Sequence, residues 1–481
     1  MFKHHLLISF RNLQRHKASF FINLIGLSTG LACAFLIYLW VLDERSFDKF
    51  HEKDRQLFQV MELSKENNNT VVHETTQGPL AAAMAKDLPE VQTAVPVLSL
   101  VKDGMYAQMK SGEKAVRTVG VFAGKEFFST FSFPLLSGNS QAVLKDKNAV
   151  VISPDLAKSL FGNAESAVGK VIRWELMGQK KDVQVTGVFA PLPANNSMKF
   201  DYVLTYDLLM QECVPNFQHW WNEGPATYLV LKPGTDIEKF NAKIANFTKA
   251  YHKESIFTLF MRPYSSAYLY GHYENGKQAG GRIDYVKLFS LVAIFILAIA
   301  CINFMNLSTA RASRRLKEVG VKKVVGSSRQ ALILQFLSEA VFIAFLSLLA
   351  ACFLVALLLP LFNQVTGKEI DLRPTPELIA LLLGATFATG LLSGSYPAFY
   401  LSGFHPIAIL KGKVKNSFSE LVARKGLVIF QFVISLILIV AVMVIHQQLD
   451  FVQSKNLGYD KSNVVLFEKS GTMVENTAAF L

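Results

Sequence analysis

No segment of the polar stretch 43–285 reads HExxH or GxSxG, and no carboxylate or histidine cluster there stands at metal-ligand spacing. Cysteine is scarce: Cys33, Cys213, Cys301 and Cys352 are the only four. Three lie in apolar runs, so their spacing gives neither a zinc site nor a disulfide framework. Cys213 stands alone in the large polar segment and has no partner there for an intrachain bridge. Gly162 to Lys170 (GNAESAVGK) approaches a phosphate loop but lacks its spacing and the following Ser or Thr. With no ATP-binding motif present, any ATPase that powers the chain is another polypeptide, and ATP-Mg sits on that partner. The chain itself is expected to bind no cofactor or metal and to be no enzyme.

Charge is also thin. Only 18% of the 481 residues are Asp, Glu, Lys or Arg, whereas 51% are hydrophobic and the mean hydropathy is +0.29. The formal net charge of +12 is not spread evenly. Residues 43–285 hold 27 basic and 27 acidic residues and are neutral. The excess sits in 1–19 (Lys3, Arg11, Arg15, Lys17), in 311–330 (seven basic residues against Glu318) and in 400–427 (five against Glu420). All three flank apolar runs, which is the positive-inside pattern and not a nucleic-acid surface.

Five runs are long enough for a bilayer, which needs about 20 residues: Phe20 to Leu42, Leu288 to Thr309, Leu332 to Leu359, Leu378 to Tyr400 and Gly426 to Ile445. The first is too long for an ordinary signal-peptide core and has no clean cleavage site, so it reads as a signal anchor. With the basic segments inside, the N-terminus, 311–330 and 401–425 are cytoplasmic, and 43–285, 361–376 and 447–481 lie outside. Tyr38, Trp40 and Tyr285 fall at the interfaces, where aromatics are favoured. Apart from Glu339, near the cytoplasmic start of the third run, the spans lack the buried acids that a proton or ion relay needs. That argues against a self-contained secondary transporter.

The outer segment mixes signals. Asn148 to Ser153 (NAVVIS), Val183 to Phe189 and Ala226 to Leu231 read as strands. Pro154 to Phe161 reads as a short helix ended by Gly162, and Thr235 is expected to cap a helix running to about Ala250. The fold class is therefore an all-α transmembrane bundle with a large α+β domain inserted between the first two spans. His73, His219 and His252 are scattered and read as structural or surface residues. Trp220-Trp221 reads as a binding patch or, more simply, as core or interface packing.

Residues 311–340 (RASRRLKEVGVKKVVGSSRQALILQFLSEA) read as a basic, partly apolar helix. Gly320 is expected to interrupt it, and Gly326-Ser327-Ser328 to break it before the chain re-enters the third span. By composition alone such an element is an ordinary positive-inside loop, whereas its glycines and Glu318 point to one that lies on the membrane or docks on a partner. Gly384, Gly390, Gly394 and Ser393 to Pro397 (SGSYP) enrich the fourth span in small residues, which favours close helix packing and a kink at Pro397.

Read together, these segments resemble the FtsX/MacB-like ABC transporter permease family, particularly its long two-halved members. The resemblance rests on Arg11 to Gly30 (RNLQRHKASFFINLIGLSTG), Glu44 to His51 (ERSFDKFH), Phe127 to Gly138 (FFSTFSFPLLSG), Val151 to Gly162 (VISPDLAKSLFG), Arg315 to Gly326 (RLKEVGVKKVVG) and Gly390 to Gly412. It implies a bacterial inner-membrane protein with a MacB-like periplasmic core domain. The implied partners are a separate nucleotide-binding ATPase subunit, a homodimeric copy or pseudo-dimeric second half, and a periplasmic partner. ATP hydrolysis on the ATPase would move the spans and, through them, the periplasmic domain, for export, extraction or mechanotransmission. On this reading Arg315, Glu318, Gly320, Lys322, Lys323 and Gly326 couple to the ATPase, while Gly390, Gly394 and Pro397 shape the fourth span.

The resulting division is 1–42 (lead-in helix and first span), 43–285 (periplasmic domain), 286–410 (permease domain with three spans), 411–446 (linker and fifth span) and 447–481. Asn456 to Val464 looks like the opening of a second periplasmic domain, so the sequence reads as a truncated form of a longer permease. Two competing readings remain. One is an ATP-independent envelope sensor or scaffold. The other is a membrane-anchored enzyme acting through 43–285, for which the sequence offers no nucleophile.

Overall fold

A computed structural model describes residues 17–67, 69–101, 104–310, 312–403 and 418–455, with the side chains of 17–19, 310, 312–317 and 418–424 outside the description. The lead-in residues Lys3, Arg11 and Arg15, most of the loop after the fourth span, and the segment from Asn456 onward lie outside the described residues. Two compact units emerge.

The first unit is helical. Among the described residues, five helices are long and apolar enough to cross a membrane: Phe20–Ser46, Arg282–Thr309, Arg329–Thr366, Pro376–Gly403 and Lys425–Ser454. They are helices because every backbone N–H and C=O in hydrocarbon must be satisfied within its own segment. Their close contacts come from small residues. A Cβ on Gly30 would lie 2.6 Å from Ala300 Cβ of the second span. A Cβ on Gly394 would lie 2.5 Å from Ala340 Cβ, and one on Gly390 would lie 2.8 Å from Val341 Cα, both in the third span. Missing side chains thus let these backbones approach one another. Pro397 sits buried inside the fourth helix. It has no N–H to give the carbonyl four residues back, and the buried Ser393 hydroxyl donates locally to Gly390 O (3.3 Å). Where the third and fourth spans connect, Asn363 bonds both ways with the Ile370 backbone, and Lys368 Nζ lies 2.7 Å from Asp43.

The second unit, Glu44–Tyr285, is built on one mixed sheet. Across it the strands run Thr258–Pro263, Leu57–Glu66, Ala226–Leu231, Val91–Ser99, Gly120–Ala123, Tyr202–Thr205, Ala149–Ile152, Gln179–Phe189, Val171–Leu176, Ala107–Ser111 and Lys114–Thr118. Gln179–Phe189 pairs parallel with Ala149–Ile152, and Tyr202–Thr205 pairs parallel with Gly120–Ala123. The central strands are unbroken apolar runs because both of their faces are covered. Val150 and Ile152 enter one core with Phe122, Leu156, Leu160, Trp174 and Tyr202, while Val151 enters the other. The buried Trp174 Nε1–H donates to the Tyr202 hydroxyl at 3.0 Å, so neither polar tip is stranded. The second core is rich in phenylalanine and holds Phe127, Phe128, Phe131 and Phe133 from the segment FFSTFSF, with Phe189 and Phe200.

Ser153 caps the helix Pro154–Phe161 by accepting from Leu156 N, and Gly162 ends it at φ +91°. The helix expected after Thr235 is shorter and begins one residue later. Asp236 caps Ile237–Ile244 by accepting from Glu238 N and Lys239 N, and a separate 3-10 turn covers Phe247–Ala250. A carboxylate has two oxygens to offer the unpaired amides, whereas the Thr235 hydroxyl donates back to Lys232 O.

One buried acid in this unit makes its stability pH-dependent. Glu62, on Leu57–Glu66, is fully buried, and its Oε2 accepts from Gln77 Nε2 at 3.1 Å. Burial, reinforced by the nearby Glu223 carboxylate, pushes its pKa from 4.5 up to about 9. Between those values the folded chain holds a proton that the unfolded chain releases, so stability falls as pH rises through the window. Glu62→Gln keeps an acceptor for Gln77 and removes the titration. It is expected to match the wild type near pH 4.5 and to exceed it at pH 8 by on the order of a few kcal/mol, read as ectodomain melting against pH. A gap that does not widen with pH refutes the assignment.

Candidate coupling site

The helix that follows the second span covers Ala312–Val324. It runs through Gly320 without a break, contrary to the expected interruption. Gly320 is buried within the helix and flanked by the buried Val319. Val319 packs with Leu332 and Phe336 of the third span and with Ala398 and Leu401 of the fourth. That burial offsets the roughly 1 kcal/mol by which glycine weakens a helix interior.

The stop comes at Gly326, where a break was expected. Its φ is +99°, its N–H bonds to Lys323 O (3.1 Å), and Ser327 N–H bonds to Lys322 O (2.9 Å). This pair of bonds is the Schellman closure that a left-handed glycine permits. A Cβ on Gly326 would meet nothing within 4 Å, so the requirement for glycine is conformational and not steric. Ser328 then caps the third span by accepting from Ala331 N at 3.2 Å.

Polar contacts brace the helix. Lys322 Nζ donates to Glu318 Oε1 at 2.7 Å, one turn back, and to Gln335 Oε1 of the third span at 3.1 Å. Gln335 Nε2 in turn reaches Glu339 Oε1 at 3.4 Å. Lys323 Nζ donates to Ser402 O of the fourth span at 2.7 Å. Burial, with the positive charge of Arg329, holds the Lys323 pKa below its usual value. The sequence-expected residues Glu318, Gly320, Lys322 and Lys323 therefore come together, but as the inward brace of the helix. Arg315 belongs to the same helix, with its side chain outside the described ones.

The outward face went unnoticed in the sequence. Val321, Val324 and Val325 are 56%, 62% and 82% exposed. They stand at i, i+3 and i+4 and so form one patch. The signal that finds them is the helical period itself: with Val319 assigned inward, these three must point away.

In the other unit His73, His219, Trp220 and Trp221 have structural partners. His73 Nε2 lies 2.8 Å from Ser64 Oγ, His219 stacks on Trp221, and Trp220 stacks on Tyr251. Trp220 packs against the sheet core, while Trp221 is 64% exposed. Among the described residues no group of three or more His, Cys, Asp or Glu is placed to hold a metal ion.

These elements define a multi-pass membrane protein with a large α+β domain inserted between its first two spans and further spans following in the sequence. Sequence comparison agrees. The MacB-like periplasmic core domain matches residues 20–247, and the FtsX-like permease C-terminal domain matches 290–406. The chain belongs to the FtsX/MacB-like ABC-transporter permease family, an inner-membrane family whose large domain is periplasmic.

Similar proteins include the macrolide export ATP-binding/permease protein MacB of Salmonella typhimurium, 26% identical over 333 residues, covering 67% of this chain and 47% of that one. MacB of Shewanella oneidensis is 22% identical over 346 residues, covering 68% and 47%. This chain thus spans about half the length of the curated relatives it matches. Among solved structures, a domain of a putative permease from Porphyromonas gingivalis is 20% identical, with a TM-score of 0.38 over 44% of this chain and 93% of that one. The periplasmic region of MacB from Actinobacillus actinomycetemcomitans is 14% identical, with a TM-score of 0.31 over 42% and 87%.

Proposed function

We propose that this chain is the permease subunit of an ABC-type complex, in which a separate nucleotide-binding subunit docks on the helix Ala312–Val324. The observation that carries this is a helix with two faces. One face is bonded to the third and fourth spans through Lys322 and Lys323, and the other presents an exposed valine patch. An exposed apolar patch beside a braced helix suits a protein interface. Force applied at the patch has a direct route into both spans.

On this reading Arg315, Glu318, Gly320, Lys322, Lys323 and Gly326 are mechanical. They fix the helix's pose and its end, while the valines make the contact. Gly390, Gly394 and Pro397 keep the third and fourth spans moving together. The chain binds no cofactor of its own, and ATP-Mg belongs to the partner. A homodimeric copy or a second half completes the permease, and the periplasmic domain passes motion to a periplasmic partner or cargo in export, extraction or mechanotransmission.

Detergent co-purification with a candidate ATPase tests this. The wild type is expected to retain the ATPase, and Val324→Asp with Val325→Asp is expected to lose at least about tenfold of it, since a buried unpaired charge at an interface is costly. Membrane insertion should be unchanged. Equal capture by both removes the docking face from the valines. Absence of capture by the wild type favours the ATP-independent sensor or scaffold.

A further inference from the structure

The two chain segments that leave and re-enter the spanning helices on the periplasmic side meet at one aromatic residue. Glu44 and Phe47 stand at the end of Lys17–Ser46, and Arg282 opens the helix Arg282–Ala310. Between them in sequence, but against both in space, is Tyr268. Its ring lies face to face on Phe47, with centroids 3.8 Å apart and planes within 5°. Its hydroxyl donates to Glu44 Oε1 at 3.2 Å and accepts from Arg282 Nη1 at 3.0 Å. The Arg282 guanidinium also sits 4.5 Å from the ring centroid.

A phenol hydroxyl can donate once while it accepts, and here the acceptor is an anion and the donor a cation, so both bonds are charge-assisted. Glu44 is only 3% exposed, so its bond is shielded from competing water. The backbone on either side of Tyr268 is fixed as well. Ile283 N–H bonds to Leu269 O at 3.0 Å, and Gly281, at φ +135°, lies so close to Leu269 that a Cβ would meet its carbonyl at 2.7 Å. On the other side of the junction, Asn195 Nδ2 donates to Ser46 O at 3.0 Å, and Ser197 N–H donates to Asp48 Oδ1 at 2.8 Å.

We propose that Tyr268 is a positioning residue for force transmission, a clasp that joins the periplasmic ends of the first and second spanning helices. Displacement of either end then has to carry the segment Tyr264–Gly281 with it. This rests on the ATP-coupled reading for its purpose, but the clasp itself is a property of the chain alone. The two claims are separable by experiment.

The full chain in lipid nanodiscs, without and then with the ATPase, supplies both tests. Without ATPase, hydrogen exchange of the amides of Phe47–Phe50 and Ile283–Asp284 is expected to quicken roughly tenfold or more in Tyr268→Ala. Tyr268→Phe, which keeps the stack and loses the hydroxyl, should fall between. Exchange in Ala149–Ile152 serves as the control that the sheet stays folded. Unchanged exchange at the junction overturns the clasp. With ATPase and ATP, the wild type is expected to change its exchange in the periplasmic sheet. Tyr268→Ala should bind the ATPase and hydrolyse ATP as the wild type does while losing that change. A variant that responds like the wild type also overturns the clasp and leaves the ATP-coupled reading standing. A wild type that gives no ATP response refutes the ATP-coupled reading instead, whatever the first test shows.

Discussion

Gly394→Leu is expected to separate the third and fourth spans, with a loss of about 1–3 kcal/mol or more from overpacking alone. Gly390 and Gly394 are one turn apart and form a groove. Opposite them stand Leu337, Ala340, Val341 and Ala344, a ridge at i, i+3, i+4 and i+7. A single Cβ at 394 already falls 2.5 Å from Ala340 Cβ, and the next neighbour, Leu337 Cδ2, is 3.5 Å away. Leucine adds three more carbons to a position with no room for the first. The control is on the same helix: a Cβ on Gly384 would meet nothing within 4 Å, so Gly384→Leu should be nearly neutral.

The damage should also reach the helix Ala312–Val324, because Val319 packs on Ala398 and Leu401 just beyond the groove and Lys323 bonds to Ser402 O. Protease cleavage near Gly326 in the detergent-purified chain should therefore accelerate in Gly394→Leu and not in Gly384→Leu. Equal behaviour of the two variants would sink the groove argument.

The features legible in the sequence are those set by local pattern. Long uncharged runs flanked by lysine and arginine gave five spans, since length and charge asymmetry are properties of consecutive residues. NAVVIS and PDLAKSLF read correctly because strand burial and a Ser-Pro-Asp helix start are local too. The cap at Asp236 was misread because Thr235 and Asp236 are both good caps, and only the turn at Lys232 decides between them.

Gly320 was misread for a different reason. Helix propensity argues for a break, but packing against two spans overrides it. The outward valines were hidden by the charge around them, which drew attention to Glu318, Lys322 and Lys323. The Tyr268 junction joins residues 224 positions apart, Glu44 and Tyr268, which no periodicity connects. The sequence thus displays what each element is. It leaves unstated which residue of one element meets which residue of another.

Phe131→Ala is expected to destabilise the periplasmic unit by about 3–5 kcal/mol, the usual cost of removing a buried phenylalanine. Phe131 is fully buried at the centre of a ring cluster, with Phe127 at 5.1 Å, Tyr228 at 5.0 Å, Tyr264 at 5.2 Å and His51 at 5.7 Å. His51 follows the first span and Tyr264 begins the segment that leads to the second, so the same deletion loosens both approaches to the membrane. For a unit of this size the loss corresponds to a fall in its melting temperature of roughly 10 °C.

A pH signature distinguishes this from general damage. Burial lowers the His51 pKa from 6.5 to about 4. Between those values the unfolded chain takes up a proton that the folded chain refuses, so wild-type stability drains away as pH falls from about 6.5 to 4. Alanine at 131 lets water reach the imidazole, raises its folded pKa and weakens that dependence. The gap between wild type and variant should therefore be widest near pH 7 and narrow toward pH 4.5. A gap of constant size would mean that His51 is not buried by Phe131, and an absence of any gap would mean that the ring cluster does not hold the two membrane approaches to the sheet.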